Sequence, residues 1–199
     1  MGMTINKPLS FTFDTNCIIA VDENREDADA IRTLCSAHID GVANVAVVAI
    51  SASEHQKDGH SLETFDHFTE RLNFLGMGKL EVLEPMLYWD VTFWDHSLWS
   101  DDVMALLERA IHEILFPNIE FSWAEYKTSA TADFDSRQRY RKWVNAKCDV
   151  QAFWSHAFRS RDVFVTSDKN FHLATKKPHL LKIAGGKIEL PADAVKLIL

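Results

Sequence analysis

Cysteine is scarce in this chain, and the few present lie far apart. Cys17, Cys35 and Cys148 are an odd number, and no CxxC pair occurs. Neither a zinc knuckle nor a disulfide framework is indicated, and a reducing, cytoplasmic setting is expected. Long apolar runs are also missing. None approaches the roughly 20 residues that a membrane helix needs, so no membrane association is expected. The opening MGMTINKPLSF lacks the layout of a signal peptide, and Asn6 stands where a myristoylation signal would want Ser or Thr. There is no surplus of positive charge. The 21 Lys and Arg against 29 Asp and Glu leave 21 − 29 = −8, which argues against a broadly basic nucleic-acid binder. It does not exclude a nuclease, because acids gathered at a metal site lower the net charge while a local basic patch still holds phosphates. Internal repeats and low-complexity tracts are absent as well.

What is present is an ordinary globular composition. The 199 residues are 47% apolar and 25% charged, with 13 Phe and 6 Trp to build a core, and one domain over residues 1–199 is expected. Phe11–Phe13 reads as a first strand that ends at Asp14 and runs into a turn. REDADAIRTLCSAHIDG gives a helix stopped by Gly41. Val45–Ile50 is a continuous apolar run, as expected of a strand buried on both faces. A helix over Ser61–Phe74 and a third strand over Leu80–Leu83 follow. Asp101–Phe116 is a helix whose apolar stripe is Val103, Leu106, Leu107, Ala110, Ile111 and Ile114, and Pro117 ends it. The stretch 85–131 is the least regular and holds four of the six Trp; it is expected to be a helical, Trp-rich insertion. A long helix over Ser136–His156, a strand at Val163–Val165, a strand pair or hairpin within Ile183–Leu190 and a short helix over Pro191–Leu199 complete the pattern.

Strands alternate with helices, which indicates an α/β fold with a mostly parallel sheet. In such folds, sites lie at the carboxyl ends of the strands. Four acids fall there or face that edge: Asp14 directly after the first strand, Glu54 shortly after VAVVAI, Asp168 two residues after VFVT, and Asp149 on the long helix that leads into the last of these strands. Each has a plainer role open to it. Asp14 and Asp168 can cap the segments that follow, Glu54 can favour a helix start, and Asp149 can be a solvated helix residue. If the four converge, their mutual repulsion needs a counter-charge. A divalent Mg²⁺ or Mn²⁺ ion supplies it, since hard oxygen ligands suit those ions. Two such ions about 4 Å apart can activate a water and stabilise a leaving oxygen in phosphodiester hydrolysis.

FTFDTN, SASE, KCDVQAF and DVFVTSDKNF, in that order, resemble the PIN-domain ribonucleases. The resemblance spans Phe11 to about Phe171. It implies a three-layer α/β/α sandwich with a central parallel sheet and a metal-dependent endoribonuclease whose acids are Asp14, Glu54, Asp149 and Asp168, supported by Asn16 and Thr166. It also implies RNA as substrate, an antitoxin protein as a candidate partner and a homodimer as a candidate assembly. Two departures stand out. The 95 residues from Glu54 to Asp149 exceed the interval in the compact toxin members, and Asn170 occupies a place where the family often has another Asp.

RQRYRKW supplies a basic cluster, Arg137, Arg139, Arg141 and Lys142, which is either a solvated helix face or a set of phosphate contacts. Arg141 and Lys142 precede Asp149 by about two helical turns, some 10 Å at the usual rise. Tyr140 and Trp143 can stack bases or pack in the core. Lys176 and Lys177 form a second, weaker patch. Asp162 starts a strand at the amino edge and is expected to be structural. His55, His60 and His67 match no zinc spacing. The alternative to a nuclease is a PIN-like RNA- or protein-binding module with weak or no catalysis.

Overall fold

The computed structural model describes residues 7–52, 65–88, 92, 96–129 and 136–199. Five parallel strands form its central sheet: β1 (Leu9–Phe13), β2 (Ala43–Val48), β3 (Glu81–Leu83), β4 (Val163–Val165) and β5 (Lys187–Glu189). Their order is β3-β2-β1-β4-β5. The helices are α1 (Thr15–Asp22), α2 (Ala28–Ile39), α3 (Phe65–Phe74), α4 (Asp102–Leu115), α5 (Trp123–Thr128), α6 (Ser136–Phe158), α7 (Lys169–His172), α8 (Lys177–Ala184) and α9 (Pro191–Val195), with a 3₁₀ turn at Ala49–Ala52. Helices cover both faces of the sheet, giving the three-layer α/β/α sandwich that the alternation of strands and helices implies.

Strand side chains alternate between faces, and each face has its own core. Phe11, Phe13, Val45, Val47, Val163 and Val165 pack with residues of α1, α2, α3 and α9. Ala46, Val48, Phe164 and Ile188 pack with residues of α4, α5, α6 and α8. Burial on both faces is why β2 reads as a continuous apolar run. Gly41 ends α2 with a φ of +72°, a left-handed conformation that glycine adopts without a Cβ penalty.

Three elements differ from the sequence expectation. The segment after Asp14 is helix α1, not a turn. Lys177–Ala184 is helix α8, with Pro178 in its first turn, and the strand that follows pairs parallel with β4, so no hairpin forms. The face that α4 buries is rotated from the expected stripe. It buries Met104, Glu108, Ile111, His112 and Leu115, while Val103 and Leu106 are 74% and 66% exposed. The cause is a buried ion pair between α4 and α6: Lys147 Nζ lies 2.9 Å from Glu108 Oε1, and both side chains are shielded from water. A reading that searches only for apolar residues places the wrong side inward. Within the stretch expected as an insertion, α4 is therefore a core helix of the second layer.

At the amino edge, Asp162 accepts hydrogen bonds from the backbone and hydroxyl of Ser10 at 2.8 and 2.6 Å. The Arg161 guanidinium donates to Phe11 O, Asn44 O and Asn44 Oδ1, and pairs with Glu81. These contacts tie β1, β2, β3 and β4 together at the end away from the candidate site.

β1 lies in the middle of the sheet. The chain leaves it towards β2 with α1 and α2 on one face, and leaves β4 towards β5 with α8 on the other. The carboxyl ends of β1 and β4 therefore flank the point where the winding reverses, which is where open α/β sheets form their crevice.

Candidate active site

Asp14 stands at the junction of β1 and α1. Its backbone N–H donates to Val165 O at 3.1 Å, which seats it against the end of β4. One carboxylate oxygen accepts from Thr15 N at 2.7 Å, capping α1. The other accepts from Asn16 Nδ2 at 2.8 Å and from the Thr166 hydroxyl at 2.7 Å. Asp14 is buried, and such a charge needs these donors.

Thr166 follows β4 and is completely buried. Its hydroxyl donates to Asp14 and accepts from Asn16 Nδ2 and from Asp168 N, both at 3.0 Å. One donor and two accepted bonds use the capacity of a hydroxyl, so Thr166 is an orienting group and not a nucleophile. Asp168 caps α7: its Oδ1 accepts from Asn170 N at 2.9 Å. Asp14, Asn16, Thr166 and Asp168 thus form one hydrogen-bonded constellation at the winding reversal. Asp14 and Asp168 therefore do cap the helices that follow them, the plainer role the sequence left open to each.

Beside this constellation opens a groove of about 980 Å³. One wall is a polar stripe of α6, made of Gln138, Arg141, Lys142, Asn145 and Asp149 at helical spacing. The opposite side carries Leu115, Asn170 and Lys176. Asp149 is half-buried on this stripe, whereas Cys148, Ala152 and Phe153, its expected apolar neighbours, turn into the core. Asn170 joins the two parts, since its backbone N–H donates to the Asp168 carboxylate and the residue lines the groove. Glu54 lies outside the described residues, as do His55 and His60.

Three members of the basic cluster, Arg139, Arg141 and Lys142, line the groove, and they differ in what engages them. Arg141 and Lys142 are exposed in the groove, and no carboxylate pairs with either among the described residues. Arg139 is turned towards α5. Its guanidinium donates to Tyr126 O and to Ser129 Oγ and lies 4.2 Å from the centre of the Tyr126 ring. It packs α5 on α6, a structural task the sequence reading did not give it. Arg137, one turn before Arg141 near the start of α6, is exposed but is not part of the groove lining. Trp143 is a core residue: it is buried, donates Nε1–H to Glu120 O at 3.2 Å and packs on Tyr140 and Trp123.

Several contributing residues carry no signal in sequence spacing. His172 Nε2 lies 2.8 Å from Thr166 O, bracing the end of β4. The Ser167 hydroxyl donates to Asp27, and Ser167 N donates to Asn16 Oδ1 at 3.2 Å. Thr15 Oγ1 and the buried Ser51 Oγ are 2.9 Å apart, which ties α1 to the 3₁₀ turn that follows β2. Lys176, placed in a weak patch by sequence, reaches into the groove. Burial lowers the Lys176 ammonium below the usual lysine range, and Asp168 opposes that shift.

As a metal centre, the donor chemistry fits: Asp14, Asp168 and Asp149 offer carboxylate oxygens, the kind Mg²⁺ and Mn²⁺ take. Among the described residues, no three His, Cys, Asp or Glu side chains lie close enough together to hold an ion. Thr166 links the Asp14 carboxylate to the Asp168 backbone N–H, and Asp149 lines the groove beside them.

No family model matches the chain, and no curated protein or solved structure matches it either. Among the described residues, no helix is long and apolar enough to cross a membrane.

Proposed function

We propose that this chain is a metal-dependent endoribonuclease that hydrolyses RNA phosphodiester bonds, acting in the cytoplasm. The observation that carries the reading is the Asp14–Thr166–Asp168 constellation at the reversal of the sheet, opening beside a groove that presents Arg141 and Lys142 in an otherwise acidic protein. A Mg²⁺ or Mn²⁺ ion bound by Asp14, Asp149, Asp168 and Glu54 would offset their charge and acidify a water for attack on phosphorus. The chain's own residues prepare that chemistry. Asn16 and Thr166 fix the Asp14 carboxylate, so no reorientation is needed when substrate arrives. The Asn170 backbone fixes Asp168, and Arg141 and Lys142 hold backbone phosphates along α6. No covalent enzyme intermediate is expected, because Thr166 is spent on orienting the acids.

Cleavage of labelled single-stranded RNA in Mn²⁺, in EDTA and by Asp14→Asn tests the reading. It predicts cutting only by the native chain with metal; equal cutting in all three cases defeats it. The toxin half of a toxin–antitoxin pair is the biological setting proposed, with an antitoxin as partner and a homodimer as assembly. Harmless overexpression of the isolated chain would count against that setting.

The spread of the described acids favours a second reading, an RNA- or protein-binding module of PIN type with weak or no catalysis. Tight RNA binding in EDTA with no cleavage in Mn²⁺ would select it.

A further inference from the structure

Lys176 differs from Arg141 and Lys142 in being held, and from Arg139, the other held cation of the groove, in lying beside Asn170. Its ammonium donates to Leu115 O at 2.6 Å and to Asn170 Oδ1 at 2.5 Å. Leu115 is the last residue of α4, so that carbonyl belongs to the negative end of a 14-residue helix. Asn170 Nδ2 also points to the same carbonyl, at 3.5 Å. The Phe116 ring lies beneath the ammonium, its centre 5.9 Å away. No carboxylate forms an ion pair with Lys176 among the described residues, although Asp168 is near enough to favour its charge. Two of the three ammonium protons are committed, which leaves one for a ligand. Arg141 and Lys142 lie along the same groove, exposed and without carboxylate partners.

From this arrangement we infer that Lys176 is the phosphate contact of the RNA groove nearest the acids, with Asn170 as its positioning residue. The inference rests on the ribonuclease reading and deepens it. A lysine free in solvent gives up side-chain entropy when it binds a phosphate. Lys176 has given up most of that freedom in the unliganded chain, through two oxygens that fix the ammonium without neutralising it. Besides Arg139, which is engaged by Tyr126 and Ser129, Lys176, Arg141 and Lys142 together present three positive charges that a phosphate backbone lying in the groove would meet. The neutral Asn170 is essential to the device: an acid there would pair with the ammonium and cancel the charge offered to substrate.

Fluorescence anisotropy of a labelled single-stranded RNA in EDTA tests this without cleavage or metal. The slope of log K against log salt counts phosphate contacts, at about 0.7 per contact on a single strand. Lys176→Met is expected to weaken binding about tenfold at low salt, the loss of one charged hydrogen bond, and to flatten the slope by about 0.7. Lys176→Arg keeps the slope. Asn170→Ala keeps the slope, because the charge remains, but weakens binding about threefold, because the ammonium is no longer fixed. Lys182→Met, on α8 outside the groove lining, changes neither. Lys176→Met and Lys176→Arg compared with the native chain keep the test decisive if one variant folds poorly. RNA binding with an unchanged slope in Lys176→Met overturns this inference and leaves the ribonuclease reading standing. Absence of RNA binding by the native chain overturns both.

Discussion

Replacing Lys147 by Met should cost the fold more than any surface change, and replacing its partner as well should restore most of the loss. The Lys147 side chain is fully buried and Glu108 nearly so, at 2.9 Å. The ammonium sits 3.5 Å from the centre of the Phe121 ring and 4.8 Å from that of Tyr88. Burial pulls Lys147 below its ordinary range, while Glu108 holds its charge in place; the same burial, with Glu108 adding to it, pushes the Tyr88 phenol above its ordinary range. Met keeps the unbranched stem and removes only the charge, leaving the Glu108 carboxylate buried without its cation. Breaking a buried pair in this way costs about 3–5 kcal/mol. For a chain of this length, each kcal/mol moves Tm by about 2–4 °C, so the midpoint should fall by roughly 6–20 °C. Glu108→Met combined with Lys147→Met removes both desolvation costs and should lie near the native stability or above it. Urea melts followed by far-UV circular dichroism give the four corners of the cycle. A double variant as unstable as the sum of the single losses would refute the reasoning that each single loss comes from leaving the partner charge buried without its counter-ion. The site depends on the answer, because this pair fixes α4 against α6, and α6 carries Asp149, Arg141 and Lys142.

His156 is fully buried beside Thr12, and burial, aided by the Arg161 charge, lowers its pKa to about 3. Its folded value is below the unfolded value near 6.5, so the unfolded chain binds the extra proton. Stability is full above pH 6.5 and drains away as pH falls towards 3. Between pH 8 and 5 the loss is about 2 kcal/mol, and His156→Leu should remove that part of the pH dependence in urea melts. Arg161→Met leaves Phe11 O and Asn44 O without their donor and should cost about 3 kcal/mol in the same assay. Gly186→Ala would bring a Cβ to 2.2 Å from Asp162 O at a φ of +62°, and a loss of about 1–3 kcal/mol is expected. Asp168→Asn separates cap from chemistry: Asn caps as well as Asp, so the melting midpoint should hold while RNA cleavage falls at least about 100-fold.

The strands and their placement were legible because β1, β2 and β4 are short apolar runs ended by polar residues. The placement of Asp14 and Asp168 at the strand ends was legible for the same reason: each is the first carboxylate past such a run. The rotation of α4 could not be found, since it follows from a buried Glu108–Lys147 pair whose partners are 39 residues apart and look solvated in sequence. Arg139 and Arg141 look equivalent in RQRYRKW, and both line the groove, yet two positions on a helix differ by about 200°, and only Arg139 is engaged by Tyr126 and Ser129 of the neighbouring α5 segment. His172, Ser51 and Ser167 brace the site through contacts that no spacing rule encodes. Lys176 was visible as a charge, but its fixation by Leu115 O depends on where α4 ends in space.

The most direct test of the central claim is Mn²⁺ binding, measured by titration calorimetry on the native chain, Asp14→Asn and Asp149→Asn, without RNA. Carboxylates from the end of β1 and from the far wall of the groove are claimed to serve one ion. The account predicts binding by the native chain and a loss of at least about tenfold in each variant. No binding by the native chain, or binding that survives both substitutions unchanged, would contradict it.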